Sequence, residues 1–115
     1  MDMDKLKRDF LIGFLIYVLN ILLMYYLWQN NTALTVIFIG ISAFVLLKWA
    51  DKEEKIVYFA SFVLGPILDL ILIPRGVWAW GNPSLFGIPL WLPLLYGILT
   101  VTAIKIGKSI AKLLK

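Results

Sequence analysis

The sequence predicts an all-α membrane protein with four transmembrane helices, and three observations predict it. First, hydrophobic residues make up 62% of the 115-residue chain and charged residues only 16%. A soluble domain of this size buries roughly two-thirds of its surface, too little to hide that much apolar side chain. Second, the apolar residues gather in four runs, each long enough to cross about 30 Å of hydrocarbon at about 1.5 Å per helical residue. Third, ten of the eleven Lys and Arg residues border those runs in three short segments.

The first run extends from Phe10 to Trp28 (10–28) and is interrupted only by Asn20. Its basic start resembles a signal peptide, but the apolar stretch is long. Tyr25, Tyr26 and Trp28 stand where a small-residue cleavage site would fall, so a retained helix is expected. The second run, from Thr32 to Leu47 and on to Trp49 (32–49), follows a connection of three residues, Gln29 to Asn31. So short a link leaves an antiparallel hairpin as the expected arrangement. The third run, Ile56 to Ile73 (56–73), contains Pro66 and Asp69; the fourth covers Gly87 to Ile104 (87–104). No repeat or linker divides the chain, so 1–115 is expected to form a single transmembrane helical domain.

Orientation follows from the basic residues. With four crossings, Lys5, Lys7, Arg8, Lys48, Lys52, Lys55, Lys105, Lys108, Lys112 and Lys115 share one side, against Arg75 alone on the other. The positive-inside rule then places both termini in the cytoplasm, as in a prokaryotic cell or inner membrane. Trp28, Trp78 and Trp80 fall near the outer interface, Trp49 and Tyr58 near the inner one. Beyond Ile104, Lys105, Lys108, Lys112 and Lys115 cluster on one helical face and Ile106, Ile110, Leu113 and Leu114 on the other. This short amphipathic basic tail is expected to contact anionic lipid of the cytoplasmic leaflet, as the end of helix four or as an interfacial helix. The net charge of +4 therefore reflects topology, and no nucleic-acid partner is expected.

The chain has no cysteine and no histidine. That excludes disulfides, thiolate or Ser-His-Asp catalysis and most zinc or copper sites, and no metal or cofactor is expected. Remaining chemistry belongs to carboxylates, amides, hydroxyls, cations and rings. Asp69 is the foremost candidate: an aspartate at a helix centre costs roughly 2.5–3.5 kcal/mol on insertion scales, and near the helix end it still needs a partner or a task. It reads either as a structural hydrogen-bond or ion-pair group, with Arg75 available once Pro74 ends the helix, or as a proton carrier, cation site or catalytic acid. Arg75 reads equally as a phosphate-headgroup contact. Asn20 should find an inter-helical partner among Asp69, Ser61 and Thr100, or contact a ligand. Ser61 and Gly65 form a small-residue surface, and Gly65-Pro66 should kink helix three because Pro66 cannot donate to residue 62.

The connection from Pro74 to Phe86 is the least regular. Trp78 and Trp80 should project to opposite sides of an extended strand. Pro89 suits the first turn of helix four, and Pro93 should distort it. The stretch reads as an aromatic belt with a re-entrant turn, or as a pocket for an apolar or cationic ligand with Asp69 at its base and Trp78, Trp80, Asn82 and Arg75 around it.

The segment GVWAWGNPSLFGIPLWLPLLYG resembles a G-x-W-x-W/Y…G-[IV]-P-L-W-L-P motif of small bacterial and archaeal integral membrane proteins. It is more faintly similar to a glycine-, aromatic- and proline-rich stretch of membrane carotenoid hydratases, which are about twice as long. The resemblance covers about a fifth of the chain and implies a lipid-like substrate. Length and crossing number also resemble the small multidrug transporters, but their helix-one glutamate has only Asn20 as counterpart here. The sequence reading is thus a small-molecule-binding or transporting membrane protein, more in keeping with a non-enzymatic role, expected to assemble as a homo-oligomer or with a larger membrane partner. An accessory subunit and a holin-like pore former are the alternatives.

Overall fold

The computed structural model describes residues 3–114. Four helices dominate it: α1 (Met3–Leu27), α2 (Asn31–Phe44), α3 (Lys52–Leu72) and α4 (Leu92–Leu113). A π turn, Val45–Trp49, prolongs α2, and a 3-10 turn, Ile73–Arg75, ends α3. With α2 prolonged to Trp49 by its π turn, all four are long and apolar enough to cross a membrane, and the described residues contain no β-strand beyond an isolated bridge. The body measures 46 × 25 × 23 Å, close in length to a bilayer of about 40–45 Å with its headgroups.

Local chemistry sets the helix ends. The Asn30 side chain accepts from the Ala33 N–H and opens α2. Asp51 and Glu54 form a reciprocal capping box, each side chain taking the other's backbone N–H at 2.9 Å. That box satisfies two orphan donors and starts α3 at Lys52, one turn before the hydrophobic run begins. At the far end of α3, Gly76 adopts φ +81° and its N–H closes onto the Ile73 carbonyl at 3.0 Å.

Two sequence expectations about helix four need correction. Helix four does not begin at Gly87: residues 87–91 belong to the preceding loop, where Leu85 and Ile88 form an isolated antiparallel bridge around a turn. Pro89 is buried in that loop, and Pro93 lies in the first turn of α4. There its missing N–H breaks no helical bond, so it starts the helix instead of distorting it. Pro66 lies inside a helix that continues unbroken to Leu72. Of the two forms expected for the basic tail, the structure has the first: it is the end of helix four, because α4 runs through Leu113.

Packing turns the apolar surface outward. Leu47, Tyr26, Leu64 and Val36 stand exposed, while α4 is the most buried of the four helices. Glycines let it sit close to its neighbours. The Tyr58 ring lies on Gly97, where a Cβ would come within 2.5 Å of it, and the Tyr96 ring lies on Gly65, at 2.3 Å. The small-residue surface read at Ser61 and Gly65 therefore receives an aromatic ring. Tyr58, itself buried, donates its hydroxyl to Ser42 at 2.6 Å and so joins α3 to α2.

Candidate functional site

Two networks of polar groups lie toward the two ends of the bundle interior. At the loop end, Asp69 is fully buried on α3. Its Oδ2 accepts the Trp80 indole N–H at 2.6 Å and its Oδ1 accepts the Tyr96 hydroxyl at 2.8 Å. One donor comes from the re-entrant loop and the other from α4, so the carboxylate ties three parts of the chain together. A donor on each oxygen offsets part of the cost of placing Asp69 on an apolar helix. Gly65, one turn before Asp69, makes room for the Tyr96 ring that reaches it.

Trp80 has two faces. Its N–H is spent on Asp69, and its ring lines an open cleft of about 280 Å³ with Met24, Trp28, Gly81, Pro89 and Trp91. The Trp80 and Trp91 rings meet edge to face at 5.7 Å, and Trp91 repeats that geometry with Phe38 at 5.8 Å. Gly81 brings the loop backbone against Trp28: a Cβ there would come within 2.9 Å of the ring. Asn31 fixes this roof. Its amide donates to the Asn82 carbonyl at 3.0 Å and the Ser84 hydroxyl at 2.7 Å, and its oxygen accepts from Trp91 Nε1 at 3.0 Å.

The expected site residues therefore separate. Asp69 and Trp80 meet, and the Asn82 amide bonds the Trp28 carbonyl at the cleft rim, at 3.3 Å. Trp78 is exposed and does not line the cleft. Arg75 is exposed and forms no ion pair with Asp69 among the described residues. Asn20 is fully buried, yet neither amide atom has a hydrogen-bond partner. Of the three partners expected for it, Asp69 and Thr100 are engaged elsewhere, since both Asp69 oxygens are taken and the Thr100 hydroxyl bonds back to the Tyr96 carbonyl at 2.8 Å, and Ser61 does not bond it.

The basic end holds a second network. Lys105 is buried, with its ammonium 3.1 Å from Glu54 and 3.8 Å from Asp9. Trp49 donates its indole N–H to Asp9 at 3.1 Å and offers its ring face to Lys105 at 5.3 Å. Lys108, half-exposed, reaches the other Glu54 oxygen at 3.6 Å. The lysine face of α4 thus begins by pointing inward at carboxylates, and Lys105 is no lipid contact. Lys112 is exposed, whereas Lys115 lies outside the described residues. Asp51 beside this cluster has its pKa lowered from 3.8, chiefly by the Glu54 N–H bonded to it; desolvation works against the shift, and Lys108 and Lys105 add to it.

Sequence reasoning missed Tyr96, Asn31, Asp9 and Glu54. Tyr96 and Asn31 carry no local signal, since each acts on groups far along the chain. Asp9 and Glu54 did leave one: they stand just inside helix ends at the level of Lys105. No family model, no curated protein and no solved structure matches the chain. What the loop end can do chemically rests on its own groups: an apolar, aromatic-walled cleft braced by a carboxylate that does not open into it.

Proposed function

We propose that this chain is a small multi-pass membrane protein that binds, and in doing so carries or presents, a lipophilic molecule in the cleft walled by Trp28, Trp80 and Trp91. The observation that carries this reading is the division of labour at Trp80, whose N–H is fixed by buried Asp69 while its ring forms cleft wall. Preorganised aromatic walls hold apolar ligands with little ordering cost. A volume of about 280 Å³ is at the small end of ligand pockets, about 300–1,000 Å³, and suits a chain segment or ring of a larger lipid-like molecule. A cation is the weaker fit, because both Asp69 oxygens are engaged and neither faces the opening. With both termini cytoplasmic, the cleft opens near the outer leaflet, where such a molecule partitions. The faint similarity of the loop segment to membrane carotenoid hydratases points the same way.

Tryptophan fluorescence of the protein in detergent tests it, with farnesol as apolar probe and tetraphenylphosphonium as cationic probe. Saturable quenching by farnesol, weakened at least several-fold by Trp28→Ala or Gly81→Leu, is expected. Quenching that never saturates, or that survives both substitutions, would sink the reading. Binding of tetraphenylphosphonium that disappears in Asp69→Asn would replace it with the cation site.

A further inference from the structure

At the basic end, two cavities of about 310 and 360 Å³ share Lys5, Asp9, Asp51 and Lys105 as walls, so they form one cleft with two lobes. Its charges are unevenly used. Asp9 and Glu54 are engaged by Lys105, Lys108 and Trp49, and Asp51 is held in its capping box. In the lobe between α1 and the π turn, Lys5, Arg8 and Lys48 have no carboxylate partner among the described residues, though all three line the same cavity. The π turn contributes to this: it sends Trp49 inward to Asp9 and leaves Lys48 exposed over the lobe. Such widened turns recur at functional sites. The same lobe is closed on another side by Ile12 and Phe44, which are apolar.

We infer that this lobe seats the phosphate headgroup of an anionic lipid. Arg8 presents a planar fork suited to two phosphate oxygens, and Lys5 and Lys48 add point charges. Buried Lys105 and its carboxylates form the floor, so the seat is shaped and differs from a diffuse cationic rim. Ile12 and Phe44 favour a lipid over free phosphate, because an acyl chain attached to the headgroup would lie along them. The seat is independent of the aromatic cleft at the opposite end.

Native mass spectrometry of the full chain in detergent tests this, with dioleoyl phosphatidic acid and dioleoyl phosphatidylcholine as probes. One phosphatidic acid should be retained in preference to phosphatidylcholine. The pair Arg8→Gln with Lys48→Gln should weaken retention by about ten-fold or more. Lys7→Gln with Lys55→Gln, which removes two exposed cations outside the lobe, should leave retention unchanged. All four positions are exposed, so thermal unfolding should show the variants folded. Equal loss in both pairs would reduce the effect to general surface charge and overturn the seat. Displacement of the lipid by inorganic phosphate at matched concentration would make the site one for free phosphate and overturn the lipid assignment. No preference for phosphatidic acid would remove both.

Discussion

Asp69 and Asn20 are two polar side chains buried on helices apolar enough to cross a membrane, and they meet opposite fates. Asp69 has one donor on each oxygen, whereas both amide atoms of Asn20 have none. A buried unpaired polar group costs about 1–3 kcal/mol. Asn20→Leu, close in size, is therefore expected to raise stability by about 1 kcal/mol or more, read from thermal or denaturant unfolding in detergent. A loss of stability would mean that Asn20 has a partner in the membrane. If farnesol binding falls while stability rises, Asn20 serves the ligand. Asp69 should behave in the opposite way. Asp69→Leu strands the Trp80 and Tyr96 donors and should cost about 1–3 kcal/mol, with a shift in Trp80 emission. Asp69 and Trp80 were both legible as candidates because a carboxylate in an apolar run and a paired tryptophan are local signals. Tyr96 was not, because its role depends on Gly65 opening space for it on another helix.

At the scale of elements, α4 is held by rings set on glycines. Gly97→Ala and Gly65→Ala each place a methyl group within 2.5 Å or less of a tyrosine ring, and overpacking of that kind costs about 1–3 kcal/mol. Gly40 faces open space, so Gly40→Ala should be neutral or slightly stabilising, and the contrast between the three is the measurement. The start of α3 gives a pH dependence. Asp51 has a lowered folded pKa, so its capping contribution is fully present above its ordinary 3.8 and is lost as pH falls through the lowered value. Asp51→Ala should cost about 1 kcal/mol at neutral pH. Asp51→Asn, also a good cap, should keep most of that stability and flatten the acid limb of the unfolding curve.

At the scale of the molecule, the helices carry exposed leucine, isoleucine, valine and aromatic side chains around their circumference, with two polar networks toward the ends of the bundle interior. That arrangement suits a solvent of lipid. Its orientation can be tested directly, because the chain contains no cysteine. Ala79 in the loop and Ala111 near the end of α4 are both exposed. An impermeant thiol reagent should label Ala79→Cys in intact cells, and Ala111→Cys only after the membrane is opened. The reverse pattern would invert the assigned topology and move the lipid-headgroup seat to the other leaflet.

Composition and the spacing of apolar runs were enough to determine four helices of membrane-spanning length, their order and the short connections among the first three. These are properties of local segments against a solvent, and each run carries its own signal. Element ends were less legible: Pro93 reads as a distortion until the helix is known to begin at Leu92. What tertiary structure alone decided is which polar groups meet. Asp69 faces Trp80 and Tyr96 and not Arg75, and Lys105 faces Glu54 and Asp9 and not lipid. The helical periodicity assigns a residue to a face, but it does not say whether that face is turned toward the bundle or the surroundings. Close packing on Gly65 and Gly97 sets that rotation for α3 and α4, and with it which polar groups meet.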